Sequence, residues 1–437
     1  MAENTVKNEK ELKKTWEGGI AVVPPAYRNL RGIDMFFLWS GASIGVFAWL
    51  YGAFLKDAGF VGGITAIIIG SVVGSIIFAL VGILGSDHGL AGMVSTRASF
   101  GIRGSYIPAV LNIIQLVFWT GMMVWINTTA VQEVSVIIGF PFEYVTVTAI
   151  AGAICTAIAL GGAIAWKGFT RIASVGLIIL SIAATWSAFQ GVTLTQAQEL
   201  LPYNGLGVTI AIDMAIGMPL SWAPLVNDYT RFAKSSKGAF WGALVGYAPA
   251  MIWFYTVGLI LVAVTGYYNP APAMSVLGLG IPALVMIWFG TVTTTFLDIY
   301  SGAMSILDII PRIKAWQAIT FVGVVGTILA LLPWLELATS FILMIGAVFI
   351  PLFAIVLGHY FVFVKRKLAV DDLYSFKPSG AYWYTGGFSI SAIVSLIIGF
   401  VIYWVIENTW LVWLSGSAVS FVVTLIVYIA LYKVIRR

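Results

Sequence analysis

Gly217-Met218-Pro219-Leu220-Ser221-Trp222-Ala223-Pro224 sits inside an apolar stretch that runs from about 206 to 226. Each proline deletes a backbone N–H and leaves a carbonyl without its intrahelical donor, and inside a bilayer no water replaces it. The stretch therefore predicts a helix interrupted at membrane depth. Five apolar stretches earlier, Gly41-Ala42-Ser43-Ile44-Gly45 occupies the middle of residues 33 to 55. Its glycines also form a small-xxx-small pair, as Gly70 and Gly74 do, so close helix packing is the competing reading there. Two interruptions at matching places in two halves mark a substrate site in transporters built from inverted repeats. An offset of five spans makes the pair enter the membrane from opposite sides, as such a repeat requires.

Ten further apolar runs complete a set of twelve spans, at 33–55, 60–85, 108–137, 146–165, 172–191, 206–226, 239–265, 279–303, 316–333, 337–363, 385–406 and 410–433. Each is near the roughly 20 residues that cross a hydrocarbon core. Of the 23 lysines and arginines, all but Lys56 fall in the tails or in alternate gaps. Those gaps hold Arg97 and Arg103; Lys167 and Arg171; Arg231, Lys234 and Lys237; Arg312 and Lys314; and Lys365, Arg366, Lys367 and Lys377. The positive-inside rule then puts both chain ends in the cytoplasm, and the protein in the cell membrane. Trp166, Trp316, Trp334, Trp383 and Trp410 lie near span ends and read as interfacial anchors. Met1 to Arg31 is a polar tail without the short apolar core of a signal peptide.

Composition excludes several classes. The chain is 60% hydrophobic and 9% charged, with a mean hydropathy of +0.99, so lipid is its main solvent. Its net charge of +5 sits beside the spans, where anionic headgroups are the expected partner and nucleic acid is not. The lone Cys155 lies in an apolar run as a packing residue, and of the two histidines His88 falls in a loop and His359 at a helix end. No metal-protease, serine-hydrolase or paired-cysteine signature is present, and no nucleotide-phosphate loop either. The expectation is a carrier driven by an ion gradient, with a channel or a non-transporting sensor as the competing classes, no resident cofactor and no obligate protein partner.

Four stretches carry a resemblance to a known family. They are Ser95-Thr96-Arg97-Ala98-Ser99-Phe100-Gly101; Leu111-Asn112-Ile113-Ile114-Gln115-Leu116-Val117-Phe118-Trp119-Thr120-Gly121; Pro219 to Pro224 with Asp228-Tyr229-Thr230-Arg231-Phe232; and Thr293-Thr294-Thr295-Phe296-Leu297-Asp298-Ile299-Tyr300-Ser301. With them the chain resembles the nucleobase-cation symport family of cytosine, purine, uracil, thiamine, allantoin and hydantoin permeases. The run of threonines before Asp298 and the Pro-Leu-Ser-Trp element are most similar to its hydroxymethylpyrimidine branch. The resemblance implies an all-helical membrane fold like that of the amino-acid transporter LeuT. Residues 32–191 (spans one to five) and 206–363 (spans six to ten) would be the inverted repeats, preceded by the cytoplasmic tail 1–31 and followed by peripheral spans over 385–433. It implies import of a pyrimidine-like nucleobase or thiamine-precursor heterocycle by cation symport through alternating access, with sodium as the expected ion. A proton-coupled purine, cytosine or allantoin permease is the alternative.

The same resemblance places a ligand between the broken spans one and six and spans three and eight. Gln115 offers a carbonyl acceptor and two amide donors to the edge of an aminopyrimidine. Trp119 and Trp222 can stack on a flat ring, and whether Phe118 or Trp119 faces the ligand is open. Gly217, Pro219 and Ser221 line the expected break. Gly290 stands where the cytosine permease has an asparagine, so the cargo need not be cytosine. Carbonyls around Gly41 and Gly45 with the hydroxyls of Thr293 and Thr294 would cage a hard cation such as sodium, although membrane threonines often bond back to their own helix.

Two carboxylates fall within spans, and each costs on the order of 3 kcal/mol at mid-bilayer unless compensated. Asp298 shares a helix face with Thr294 and is the candidate coupling residue. Asp213, one turn before Gly217, is a candidate for a substrate amino group. Asp228, Arg231 and Glu133 read as solvated or paired near span ends.

Overall fold

The computed structural model describes residues 19–310 and 312–435, and gives no side-chain description for 162–171, 174, 191 and 206. Most of the tail 1–31, the Lys167 and Arg171 side chains, the anchor Trp166 and the terminal arginines thus lie outside the described residues. The helices of seven residues or more in chain order are α1 (Gly32–Ser43), α2 (Val46–Phe54), α3 (Gly59–His88), α4 (Tyr106–Ile138), α5 (Tyr144–Gly191), α6 (Leu194–Leu200) and α7 (Gly205–Thr230). They continue with α8 (Ser236–Thr265), α9 (Pro270–Val276), α10 (Gly280–Ile309), α11 (Ala315–Leu329), α12 (Trp334–Leu357), α13 (Ile390–Glu407) and α14 (Gly416–Ile435). Among the described residues nine helices are long and apolar enough to cross a membrane, ten when the pair Val175–Gln190 and Leu194–Leu200, bent by 84°, is one crossing.

The first expected interruption is present and short. α1 stops at Ser43, Ile44 (φ −81°, ψ 92°) and Gly45 (φ −152°, ψ 151°) are extended, and α2 resumes at Val46. The ring of Phe47 occupies the space that a side chain on Gly45 would need, which accounts for the glycine. Carbonyls at the end of α1, at Gly41 and Ala42, lose the N–H partners that a continuous helix would supply.

The second interruption is absent, which corrects the expectation for 217 to 224. α7 runs unbroken through Pro219 and Pro224. Two missing rungs are tolerable where neighbouring helices hold the segment: the Pro219 ring lies against Gly74 of α3, and the Gln115 amide donates to the Ser221 carbonyl. The strain remains as two carbonyls, of Ala215 and Leu220, whose donors the prolines removed.

Spans four and five appear as one helical run, α5. Cys155 and Ala159 share an apolar cluster with Val292 and Phe296 of α10, while Leu177 covers Gly290, half a turn from Val292. A straight helix would separate residues 155 and 177 by about 33 Å at 1.5 Å per residue. The run is therefore not straight between them, and within it Tyr144–Gly161 is long and apolar enough for one crossing.

Glycines set the closest approaches. Gly70 and Gly74 of α3 lie against Ala215 and Ile216 of α7, and Gly52 of α2 and Gly258 of α8 each face the other helix's backbone, at Tyr255 and Trp49. Trp49 and Phe254 stack there at 5.8 Å. Replacing Gly258 with valine forces these helices apart. We expect a loss of about 3 kcal/mol, read as a lower unfolding temperature in detergent; an unchanged value would show the α2–α8 contact to be slack.

On the expected cytoplasmic side two of the cations, Arg97 and Arg231, are buried, while most of the other described ones are exposed. Arg97 is buried, donates to the Leu373 carbonyl at 3.0 Å and lies over the rings of Tyr374 and Phe376. Arg231 donates to the carbonyls of Asp228 and Gly19. Asp87, near the end of α3, accepts from Arg366 Nε and Nη2 at 2.8 Å each, from the Tyr360 hydroxyl at 2.5 Å and from Ser236. These bonds hold the Arg366 guanidinium above its usual value. His88 ends α3 instead of lying in a loop, and His359 is buried in the turn after α12 with Nδ1 2.8 Å from the Tyr428 hydroxyl. Of the expected anchors Trp316 and Trp410 are exposed and Trp383 packs on Arg103, but Trp334 is buried against Phe118 and Phe341.

Candidate functional site

Phe47 of α2, Leu116 and Trp119 of α4, Ser221, Trp222 and Leu225 of α7, and Thr294 and Asp298 of α10 enclose one cavity. It lies just past the break at Ile44–Gly45, where four expected spans meet. The cavity is small, about 10 Å³. That is room for about one water, so a ring enters only as the side chains part. The walls are aromatic: Phe47 meets Trp119 edge-on at 5.9 Å, and Phe341 meets Trp119 at 5.4 Å.

Polar groups are few and directed. Trp119 Nε1 donates to Ser221 Oγ at 2.8 Å. One turn along α4, Gln115 Nε2 donates to the Ser221 carbonyl at 2.9 Å and to Asn112 Oδ1 at 2.7 Å. Asn112 Nδ2 in turn donates to Ser305 Oγ at 2.8 Å. Two buried acceptor atoms have no partner: Gln115 Oε1 and Asp298 Oδ2. Asp298 is 4% exposed and forms no ion pair with a described residue. A buried carboxylate in that condition is costly until a cation, a proton or a ligand N–H reaches it.

Trp119, Ser221, Trp222, Thr294 and Asp298 thus come together, with Gln115 directly behind Ser221. Phe118 turns away and stacks on Phe341 at 5.7 Å. Several expected ligands lie elsewhere. Gly217 faces Ile342 of α12, Pro219 faces Gly74, and Gly290 is covered by Leu177; each serves helix packing. Asp213, fully buried, accepts from Ser415 Oγ at 2.6 Å, Gly416 N at 2.9 Å and Ser417 N at 3.1 Å. It caps α14 and does not line the cavity, because three donors at a helix N-terminus outcompete any ligand amine. Asp228 is bonded to Gly92 N and Glu133 to Ser275.

For the ion, Thr293 Oγ1 donates to the Gly290 carbonyl at 2.7 Å and Thr294 Oγ1 to the same oxygen at 3.3 Å. Both hydroxyls bond back to their helix, and that leaves their lone pairs as acceptors. Thr294 shares the cavity wall with Phe47, which follows the break. Oxygen atoms of this kind suit a hard cation. No cluster of histidine, cysteine and acidic side chains able to hold a metal exists among the described residues. Phe47, Leu116 and Leu225 were not foreseen as lining residues; the signal for Phe47 was its place two residues past Gly45. Asn112, three residues before Gln115 and so on the same helix face, was foreseeable too.

A family model described as "Permease for cytosine/purines, uracil, thiamine, allantoin" matches residues 22–431. The chain is 25% identical over 431 residues to a purine-uracil permease of Arabidopsis thaliana, covering 86% of this chain and 69% of that one. It is 23% identical over 320 residues to the cytosine permease of Escherichia coli K12, with 72% and 73% covered. Among solved structures it is similar to Mhp1, a nucleobase-cation-symport-1 family transporter in a closed conformation with bromovinylhydantoin bound. The TM-score is 0.82 at 20% identity, covering 95% of this chain and 94% of that one, a likeness that shows the fold. The relatives are permeases, not enzymes. A match across nearly the whole length, on a multi-pass helical fold, places this chain in the family of permeases for cytosine and purines, uracil, thiamine and allantoin.

Proposed function

We propose that this protein is a secondary active transporter that imports a pyrimidine-like nucleobase or thiamine-precursor heterocycle together with a sodium ion. The observation that carries the reading is a small aromatic cavity lined by Asp298, whose Oδ2 no described group satisfies, with a second unsatisfied acceptor, Gln115 Oε1, directly behind its Ser221 wall. A flat ring bearing N–H groups fills the walls and supplies a donor, and a cation offsets the charge on Asp298. The ion sits among the carbonyls at Gly41 and Gly45 and the hydroxyls of Thr293 and Thr294. Asp298 couples its binding to that of the cargo.

Twelve crossings follow if α1 with α2 forms the first, α5 supplies two and α11 one. Residues 32–191 and 206–363 are then the inverted repeats, 385–433 the peripheral pair, and both ends are cytoplasmic. The specific cargo branch is that of hydroxymethylpyrimidine. The test is uptake by proteoliposomes of uracil, cytosine, hypoxanthine, allantoin, hydantoin and hydroxymethylpyrimidine. Accumulation driven by an inward sodium gradient is expected for at least one, and indifference of all to both sodium and proton gradients overturns the reading. A second reading, proton coupling, is favoured by the partnerless Asp298 and predicts uptake that follows the proton gradient alone.

A further inference from the structure

The hydrogen bonds behind the cavity run in one direction only. The Ser221 carbonyl can only accept, so the group that meets it at 2.9 Å must be the Gln115 amide nitrogen. The second hydrogen of that nitrogen goes to Asn112 Oδ1 at 2.7 Å. With its oxygen so committed, Asn112 turns Nδ2 to Ser305 Oγ at 2.8 Å. Ser305 receives that bond and passes its own hydrogen to the Ser301 carbonyl at 3.1 Å. Both ends of the chain are backbone carbonyls, and every side chain in it is buried. Reversing the Gln115 amide would set acceptor against acceptor at the Ser221 end, and reversing Asn112 alone would set donor against donor at Gln115. The one atom left over is Gln115 Oε1, buried and without a partner.

We propose that Asn112, backed by Ser305, is a positioning residue that fixes the sense of the Gln115 amide. The site then meets its cargo with a carbonyl oxygen and not with an amide N–H. This rests on the permease reading above and adds a selection rule: the cargo must bring an N–H donor, and a ring alkylated on its nitrogens is refused. Neither Asn112 nor Ser305 lines the cavity; both act through Gln115. A site built on a buried hydrogen-bonding group rejects the analogue that leaves it unpaired far more strongly than an apolar wall rejects a change of size.

Ser305 gives the sharper test, because Ser305→Thr keeps the hydroxyl while Ser305→Ala frees Asn112 to turn over. Binding of uracil and of its N,N-dimethylated analogue is measured on the full chain in detergent by quenching of tryptophan fluorescence, and the same pair of measurements is made for hydantoin. The wild-type protein and Ser305→Thr are expected to favour the parent ring. Ser305→Ala and Asn112→Leu are expected to lose about tenfold of that preference while still binding. Preference that survives in both of these, or falls equally in Ser305→Thr, overturns the inference, as does a wild-type protein that binds parent and alkylated rings alike. A wild-type protein that binds neither ring, nor any other heterocycle of the uptake panel, takes the permease reading down with it.

Discussion

Replacing Asp298 with asparagine leaves the protein folded and ends ion-driven uptake. The side chain is 4% exposed, lines the cavity beside Thr294 and carries one oxygen without a partner. Removing a buried charge removes its desolvation cost, so the melting temperature of Asp298→Asn stays level or rises. Transport moves the other way, because the charge that the cation would offset is gone. We expect the initial rate to fall by about a hundredfold or more, in line with the few kcal/mol that one partner of a buried pair carries. Exchange of cargo in the absence of any gradient should survive better than accumulation. If accumulation persists near the wild-type rate, Asp298 is a structural residue and the coupling lies elsewhere.

The second large effect is on stability. Arg366→Ala removes both charged donors to Asp87, whose side chain is only 13% exposed, and leaves it with the hydroxyls of Tyr360 and Ser236. Stranding a mostly buried carboxylate costs about 3 kcal/mol. A clear drop in the unfolding temperature should follow. Lysine at 366 keeps the charge but not the two-pronged geometry and should recover part of the loss. The double replacement Arg366→Ala with Asp87→Asn should recover more than either alone, since the stranded charge is then absent. Arg366 sits in a left-handed turn (φ 64°) directly after Lys365 (φ 48°), and such a conformation is disfavoured for residues with a side chain. That strain persists because the bonds to Asp87 hold it. Equal stability of Arg366→Ala and wild type would reduce the cluster to a surface contact.

Much of the fold could be read from hydropathy alone, because a bilayer imposes a length and an apolar surface on every crossing. The break before Val46 was legible as well, since glycine at both ends of a five-residue run permits an extended turn. Pro219 and Pro224 misled for a definite reason. Sequence shows which N–H groups are missing, but not that Gly74 makes room for a proline ring or that Gln115 reaches the Ser221 carbonyl. The site was legible where a helix face decides it: Trp119, Trp222, Thr294 and Asp298 converge. It was illegible where a distant segment competes for the same group. Asp213 reads as a ligand until Ser415, Gly416 and Ser417, about two hundred residues away, are seen to bond both its oxygens.

That last contact reaches beyond the site. Asp213 belongs to α7, the same helix that carries Ser221 and Trp222, yet its carboxylate is the cap of the final helix of the chain. Any tilt of α7 must therefore drag α14 along or forfeit three bonds at once. A transport step that tilted α7 would carry the final helix with it, and that helix's lipid contacts would then weigh on the step.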